Sequence, residues 1–104
     1  MPEIDHRRAI AKSLIRGAIT FLETAEVTAL GPSDKKIVPV AHKKLIAVLH
    51  SLGSTTPLGD DSTAAKLSAV AASLMHCNAP ELKRGAYLEV MKAAKIFDEL
   101  SQGL

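Results

Sequence analysis

The four histidines and the single cysteine are the residues best suited to bind a metal or to take part in catalysis. Their spacing does not bring them together. The histidines are His6, His42, His50 and His76, and no two of them stand three or four residues apart, the helical spacing that directs two imidazoles to one metal. His76 directly precedes Cys77, so on a helix the two side chains point in different directions. We therefore expect no metal and no cofactor.

Nucleophilic catalysis needs a thiol or hydroxyl beside a base that a third group orients. Cys77 falls on the apolar face of a predicted helix, where a free cysteine usually behaves as a small hydrophobe. The paired carboxylates Asp60 and Asp61 stand at the start of the same helix, where capping explains them. The chain has no P-loop, no G-x-S-x-G motif and no G-x-G-x-x-G motif. We predict that the protein is not an enzyme and has no catalytic residue.

Three basic residues, Arg8, Lys12 and Arg16, form a ridge along one predicted helix face. Their spacing of four residues would let them meet phosphates or an acidic patch of another protein. The formal net charge of +2 is too small to indicate nucleic acid or membrane binding by itself. The loop between the second and third helices is longer than that of a helix-turn-helix, and the third helix offers alanines in place of base-reading side chains. Nucleic-acid binding through the ridge is the alternative function.

The composition is that of one globular domain spanning residues 1–104. Apolar residues make up 47% of the chain and charged residues 23%, which supplies enough apolar surface for a core and argues against disorder. No apolar signal core follows the N-terminal charges, and no uncharged stretch is long enough to cross a bilayer. The single cysteine fits a reducing compartment, so we expect a soluble cytoplasmic protein without membrane contact.

Four segments have helical periodicity, and glycine and proline residues separate them. They run from about Pro2 or Asp5 to Leu30, from near Val38 to Leu52, from Asp61 or Ser62 to Cys77, and from Pro80 to about Ser101. Pro39 is expected in the first turn of the second helix. No segment alternates with period two, and no hairpin turn pattern occurs. The sequence predicts an all-α fold of about four helices in a small bundle, assembled as a homodimer.

Each helix has an apolar face that predicts its core side. In the first helix two neighbouring stripes cover about half of the circumference, so this helix can contact two neighbours at once. The stripes are Ile10, Leu14, Ala18, Phe21 and Ala25, and beside them Ile15, Ile19 and Leu22, which we assign to a protein interface. The predicted core residues of the other helices are Ala41, Leu45, Val48, Leu49 and Leu52; Leu67, Val70, Leu74 and Cys77; and Leu82, Ala86, Val90, Ala93, Phe97 and Leu100.

The third helix carries small residues on the side away from its predicted core. Ala65, Ala69 and Ala72 follow at intervals of four and three, and only Lys66 interrupts the run. Small residues let two helix backbones approach closely, so this alanine ridge suits helix packing. Either helix one or four of the same chain covers the ridge, or a second protomer or a foreign helix does. Leu88 is a further candidate for a partner contact, because it falls opposite the apolar stripe of its own helix.

In its whole-chain character the sequence resembles the small helical quorum-sensing anti-activators of pseudomonads, the QslA-like proteins. The resemblance is carried by the long amphipathic helix from Asp5 to Leu30, the alanine-rich helix from Ser62 to Cys77 and the lack of a catalytic motif. Proteins of this kind bind a LuxR-type transcription factor and keep it from dimerising on DNA. The resemblance implies a bacterial protein of transcription regulation that occupies its partner's dimerisation surface.

Three functions remain open from the sequence. The first is an interaction protein that sequesters a transcription factor, with a two-fold homodimer through helix one or three as its own assembly. The second is a nucleic-acid-binding protein that uses the basic ridge. The third is a small enzyme with an unrecognised site. We favour the first, because the patterns that a site of the third kind requires do not occur.

Overall fold

The computed structural model describes residues 2–26, 31–53, 59–80 and 82–103. Within these ranges the chain forms four α-helices, which are α1 Pro2–Glu26, α2 Pro32–Leu52, α3 Asp60–Leu74 and α4 Tyr87–Ser101. A short π-helical segment, Leu82–Ala86, leads directly into α4. These ranges contain no strand, and the prediction of an all-α fold with four helices is confirmed. The predicted end of the first helix at Leu30 lies outside the described residues.

The helices form an antiparallel ring in which each one packs on the next along the chain. Around the ring α1 contacts α2, α2 contacts α3, α3 contacts α4 and α4 returns to α1. The described backbones of α1 and α3 do not pack on each other, and the side chains of Arg8 and Asp60 bridge them. Arg7, near the start of α1, pairs with Glu99, near the end of α4, and Phe21 near the other end of α1 lies against Gly85. Short connections between successive helices produce this up-down-up-down arrangement.

The core between the helices is almost entirely aliphatic, and Phe97 is its buried aromatic residue. The predicted faces of the third and fourth helices are confirmed, because their members are buried. Those members are Leu67, Val70, Leu74, Cys77, Leu82, Ala86, Val90, Ala93 and Phe97, with Leu100 partly buried at the edge. The predicted face of α2 is confirmed as well: Ala41, Leu45 and Val48 are buried, and Leu49 and Leu52 pack against them.

The core stripe of α1 lies between the two stripes that the sequence suggested. The fully buried residues of this helix are Ala11, Ile15, Ala18 and Leu22. Ile10 and Phe21, which were expected on the main stripe, keep 43% and 40% of their surface exposed. Ala11 and Ala18 let α2 and α4 approach α1 closely from both sides. The buried row that contains these alanines is therefore the centre of the contact, and Ile10 and Phe21 lie at its rim.

Helix α2 begins at Pro32 and not near Val38, so Pro39 lies inside the helix. Pro32 occupies the first helical position, where its missing N–H is no loss. The early start is held by Asp34, whose buried carboxylate accepts the backbone N–H groups of Asn78 and Ala79 at 2.8 and 3.0 Å. These charge-assisted hydrogen bonds tie the first turn of α2 to the connection that follows α3, and they depend on a tertiary contact that local sequence does not show.

Candidate protein-binding surface

The residues of α1 that we assigned to a protein interface lie inside the chain's own core. Ile15 and Leu22 are fully buried, and Ile19 retains 8% of its surface. The assignment of these three residues to a partner contact is therefore wrong, because α2 and α4 already cover this side of α1. The physical reason is the ring topology. Each helix has two neighbours in the same chain, and α2 and α4 together bury the wide apolar face of α1.

The alanine ridge of α3, in contrast, faces outward. Ala65, Ala69 and Ala72 are exposed, and Ser68 between them is exposed as well. The alternative in which helix one or four covers the ridge is wrong for the described part of the chain, because the three alanines remain exposed with α1 and α4 in place. Packing within the chain uses other small residues of the same helix, with Ala71 and Ala64 retaining 1% and 7% of their surface.

A shallow groove runs along one side of the ridge, between α3 and α4, with a volume of about 630 Å³. Its α3 wall consists of small residues, and its α4 wall carries Leu88 and Met91, which are 46% and 40% exposed. The residues that line the groove are Asp61, Ala64, Ala65, Ser68, Leu88, Met91, Lys92, Ala94, Lys95 and Asp98. The groove thus brings Ala65 and Leu88, two predicted interface residues on different helices, to one place.

A second groove of about 270 Å³ lies on the other side of the ridge, between α2 and α3. Its floor is apolar, and Lys44 of α2 and Lys66 of α3 stand at its sides. The lining residues are Lys44, Ala47, Val48, Ser51, Lys66 and Ala69. We call the combined surface the α3 face: it consists of Ala65, Ser68, Ala69 and Ala72 on the ridge, with Leu88 and Met91 beside it.

Charged residues surround the α3 face, and lysine predominates among them. Lys44 and Lys66 line the groove on one side, and Lys92 and Lys95 line the groove on the other. The acidic residues in these linings are Asp61 and Asp98, in the first turn of α3 and near the end of α4. Four lysines against two aspartates leave a formal charge of +2 around the face.

The predicted basic ridge of α1 is partly used within the chain. Arg8 donates to the Asp60 carboxylate at 2.7 Å, which joins the start of α1 to the start of α3. Arg16 is exposed and Lys12 is half-buried. An anionic partner at this ridge would compete with Asp60 for Arg8, so only Arg16 presents its charge fully to solvent. The structure therefore offers less to phosphates than the sequence spacing suggested.

The potential catalytic groups are buried or dispersed. Burial raises the pKa of the Cys77 thiol, the Asp34 carboxylate raises it further, and Lys83 acts in the opposite direction. A thiol with a raised pKa is a poor nucleophile at neutral pH, because little of it is thiolate. His42 lies 3.5 Å from the carboxylate of Glu23. Among the described residues, no three of His, Cys, Asp and Glu stand close enough together to hold a metal ion.

Met91 is the surface residue that sequence reasoning missed. It stands three positions after Leu88, so the two share a helix side, and the pattern alone could have linked them. Its place beside the ridge depends on α4 packing next to the alanines of α3, and a methionine near one other apolar residue on a helix surface is common. Flexible, polarisable methionine side chains are common at surfaces that bind other proteins.

None of the helices in the described part of the chain is both long and apolar enough to cross a membrane. No protein-family model, no curated protein and no solved structure matches the chain.

Proposed function

We propose that this is a non-enzymatic binding protein and that a helix of another protein docks on its α3 face. The observation that carries the proposal is the exposed row Ala65, Ala69 and Ala72, with a groove on each side. An exposed helix face is normally rich in charged residues, whereas the ridge consists of three alanines and Ser68. A contiguous apolar surface of this kind, rimmed by polar residues, marks an interaction site in soluble proteins.

The small side chains define how the partner helix would sit. With alanine at the contact, two helix axes approach to about 8 Å, the lower end of the usual range. The partner's larger side chains would then enter the two grooves on either side of the ridge. Leu88 and Met91 would act as the anchors on this chain, since they are its large apolar residues next to the α3 face.

The finer proposal is an anti-activator that sequesters a LuxR-type transcription factor, and its support is the resemblance in whole-chain character. The α3 face supplies a compatible mechanism: a helix taken from the transcription factor's own dimerisation surface would occupy the ridge, and the transcription factor could not dimerise on DNA. We expect purified protein to reduce DNA retardation by such a factor, and an Ala69→Glu variant to lose this effect.

Site-specific crosslinking in the native host tests the docking surface directly. A photo-reactive amino acid at Ala69 should capture a defined protein, whereas the same group at the exposed Ser13 of α1 should not. Capture should disappear when Ala65→Glu is added, because a carboxylate in the middle of the ridge blocks helix approach. Equal products from positions 69 and 13 would contradict the proposal.

A homodimer through the same face is a second proposal, for which the small residues of the ridge are again the supporting observation. A two-fold axis would place the ridges of two copies against each other. Light scattering on the purified protein should then give twice the chain mass of 11.0 kDa, and Ala69→Glu should return it to the monomer mass. A monomer mass at high concentration would contradict the dimer and leave the α3 face for a different protein.

A further inference from the structure

The lysines around the α3 face stand on both sides of it. Lys44 and Lys66 belong to the groove toward α2, and Lys92 and Lys95 belong to the groove toward α4. All four side chains are exposed. A helix lying along the ridge would therefore have ammonium groups along both of its flanks, while its central stripe met alanine and serine.

This charge pattern discriminates between possible occupants. Charged rims contribute most to the choice of partner and to the rate of association, and like charges placed opposite each other are unfavourable. A second copy of this chain would bring its own four lysines and two aspartates to the same contact, so two surfaces with the same formal charge of +2 would meet and repel each other. A helix with acidic flanks would meet two lysines on each side, with the whole excess of positive charge in the groove toward α2, because Asp61 and Asp98 share the other groove with Lys92 and Lys95.

We infer that the α3 face selects an amphipathic helix whose stripe of small and aliphatic residues is bordered on both sides by aspartate or glutamate. The inference rests on the proposed function, that a foreign helix docks on this face, and adds the chemistry of that helix. The stripe packs on Ala65, Ala69 and Ala72 and reaches Leu88 and Met91, and the acidic borders pair with the lysines. Helix α3 has 15 residues and is about 22 Å long at 1.5 Å per residue, so four turns of partner helix cover it.

The probe is a synthetic peptide of about 18 residues, long enough to form helix in isolation, with a leucine and alanine stripe flanked by glutamates. Two further peptides keep the stripe and length but carry lysines or glutamines in place of the glutamates. Fluorescence anisotropy gives the affinity of each peptide, and hydrogen exchange shows where it binds. We expect the glutamate peptide to bind best, with protection at 65–72 and at Leu88, and with affinity that falls as salt rises.

Charge reversal on the protein provides the matched test. The double variant Lys44→Glu with Lys92→Glu should bind the glutamate peptide about tenfold more weakly and should gain affinity for the lysine peptide. The control variant Lys36→Glu with Lys43→Glu makes the same change in net charge at exposed positions that line neither groove, and it should bind the glutamate peptide within about twofold of wild type.

The remaining outcomes separate the inference from the proposed function. If the glutamine or lysine peptide binds the wild-type protein with the same affinity as the glutamate peptide, the α3 face docks helices without selecting acidic flanks. The inference is then wrong, and the proposed function stands. If no peptide binds and the protein forms a dimer that Ala69→Glu dissociates, the occupant is a second copy. If no peptide binds, the protein stays monomeric and crosslinking at position 69 captures nothing, both the inference and the proposed function are wrong.

Discussion

At the scale of single residues, two buried polar side chains differ in whether they form hydrogen bonds inside the bundle. Asp34 is 2% exposed, and its carboxylate accepts two backbone N–H groups, so its burial is compensated. Thr63 is fully buried, and within the described part of the chain its hydroxyl has no hydrogen-bond partner. A buried hydroxyl without a partner loses its hydration and gains nothing in return. The bundle therefore contains one polar anchor and one polar position that could be apolar.

We predict that Thr63→Val increases the free energy of unfolding by about 1 kcal/mol, because valine has the same shape and removes the uncompensated hydroxyl. Urea denaturation checks this prediction. The matched control is Thr20→Val in α1, where the side chain is exposed and its hydroxyl donates to the Arg16 carbonyl at 3.1 Å. The control should change stability by less than about 0.5 kcal/mol. A Thr63→Val protein less stable than wild type would show that the hydroxyl has a partner.

The Cys77 thiol should make stability depend on pH in the alkaline range. Its pKa in the folded protein is raised above the ordinary value of 9.0 by burial first and by Asp34 second. The contribution of the neutral thiol is therefore fully present below pH 9, and it is lost as pH rises through the folded pKa, because the unfolded thiol ionises first. We predict that stability falls more between pH 8 and 10 in wild type than in Cys77→Ala, as measured by urea denaturation at the two pH values. Equal losses in the two proteins would contradict this prediction.

At the scale of elements, two glycines with different neighbours lie where α1 packs on α4 and on the π-helical segment before it. A Cβ at Gly85 would come within 2.6 Å of the Phe21 ring, and a Cβ at Gly17 would meet the Glu89 carboxylate. The ring covers the π-helical segment that contains Gly85, and a flat aromatic side chain has few ways to move aside. The carboxylate is the far end of a flexible side chain and can rotate into solvent. The two positions should therefore respond differently to the same substitution.

We predict that Gly85→Ala destabilises the protein by about 1–2 kcal/mol, because the Phe21 ring must leave its place. Gly17→Ala should be neutral or stabilising by up to about 1 kcal/mol, since alanine favours helix and Glu89 can move. Thermal unfolding of both variants measures the difference. Adding Phe21→Ala should remove most of the penalty at Gly85. If the penalty persists in that double variant, the backbone of the π-helical segment itself requires glycine.

The two sides of α3 should differ sharply in their tolerance of charge. Ala69 lies on the exposed ridge, whereas Ala71 is 1% exposed against the neighbouring helices. We predict that Ala69→Glu keeps the helical circular dichroism and the unfolding midpoint of wild type, while Ala71→Glu loses about 3 kcal/mol or more and unfolds at lower temperature. An unfolded Ala69→Glu protein would mean that the ridge is covered, and the α3 face would no longer be available.

The helices show which parts of the sequence pattern were sufficient. In the π-helical segment and α4 a single row with helical spacing, from Leu82 to Phe97, predicted the buried side correctly because no second row competed with it. In α1 two rows competed, and the large residues Ile10 and Phe21 outweighed Ala11 in the pattern although the alanine is the buried one. A large apolar side chain is therefore not always the buried one. Where two helix backbones approach closely, a small residue such as alanine is favoured at the contact.

At the scale of the whole molecule, the ring of four helices decides which surfaces remain for a partner. The sequence identified Ala65, Ala69, Ala72 and Leu88 as candidates, and all four lie on one exposed surface. It could not exclude Ile15 and Leu22, because their burial depends on α2 and α4 meeting on both sides of α1. Nor could it place Lys44 beside Lys66, which are on different helices. A sequence pattern identifies an unusual helix side, and only the topology shows whether that side is covered.

The alanine ridge also has a consequence for the thermodynamics of docking. Alanine has no side-chain rotamers to lose, whereas ordering a long side chain at an interface opposes binding by about 0.5–2 kcal/mol. In the proposed docking the alanines of the ridge would therefore lose no side-chain freedom, and that loss would fall on Ser68 and on the rim, at Leu88, Met91 and the lysines. Association at the centre should proceed without rearrangement, so that the rim residues alone adjust the affinity to a given helix.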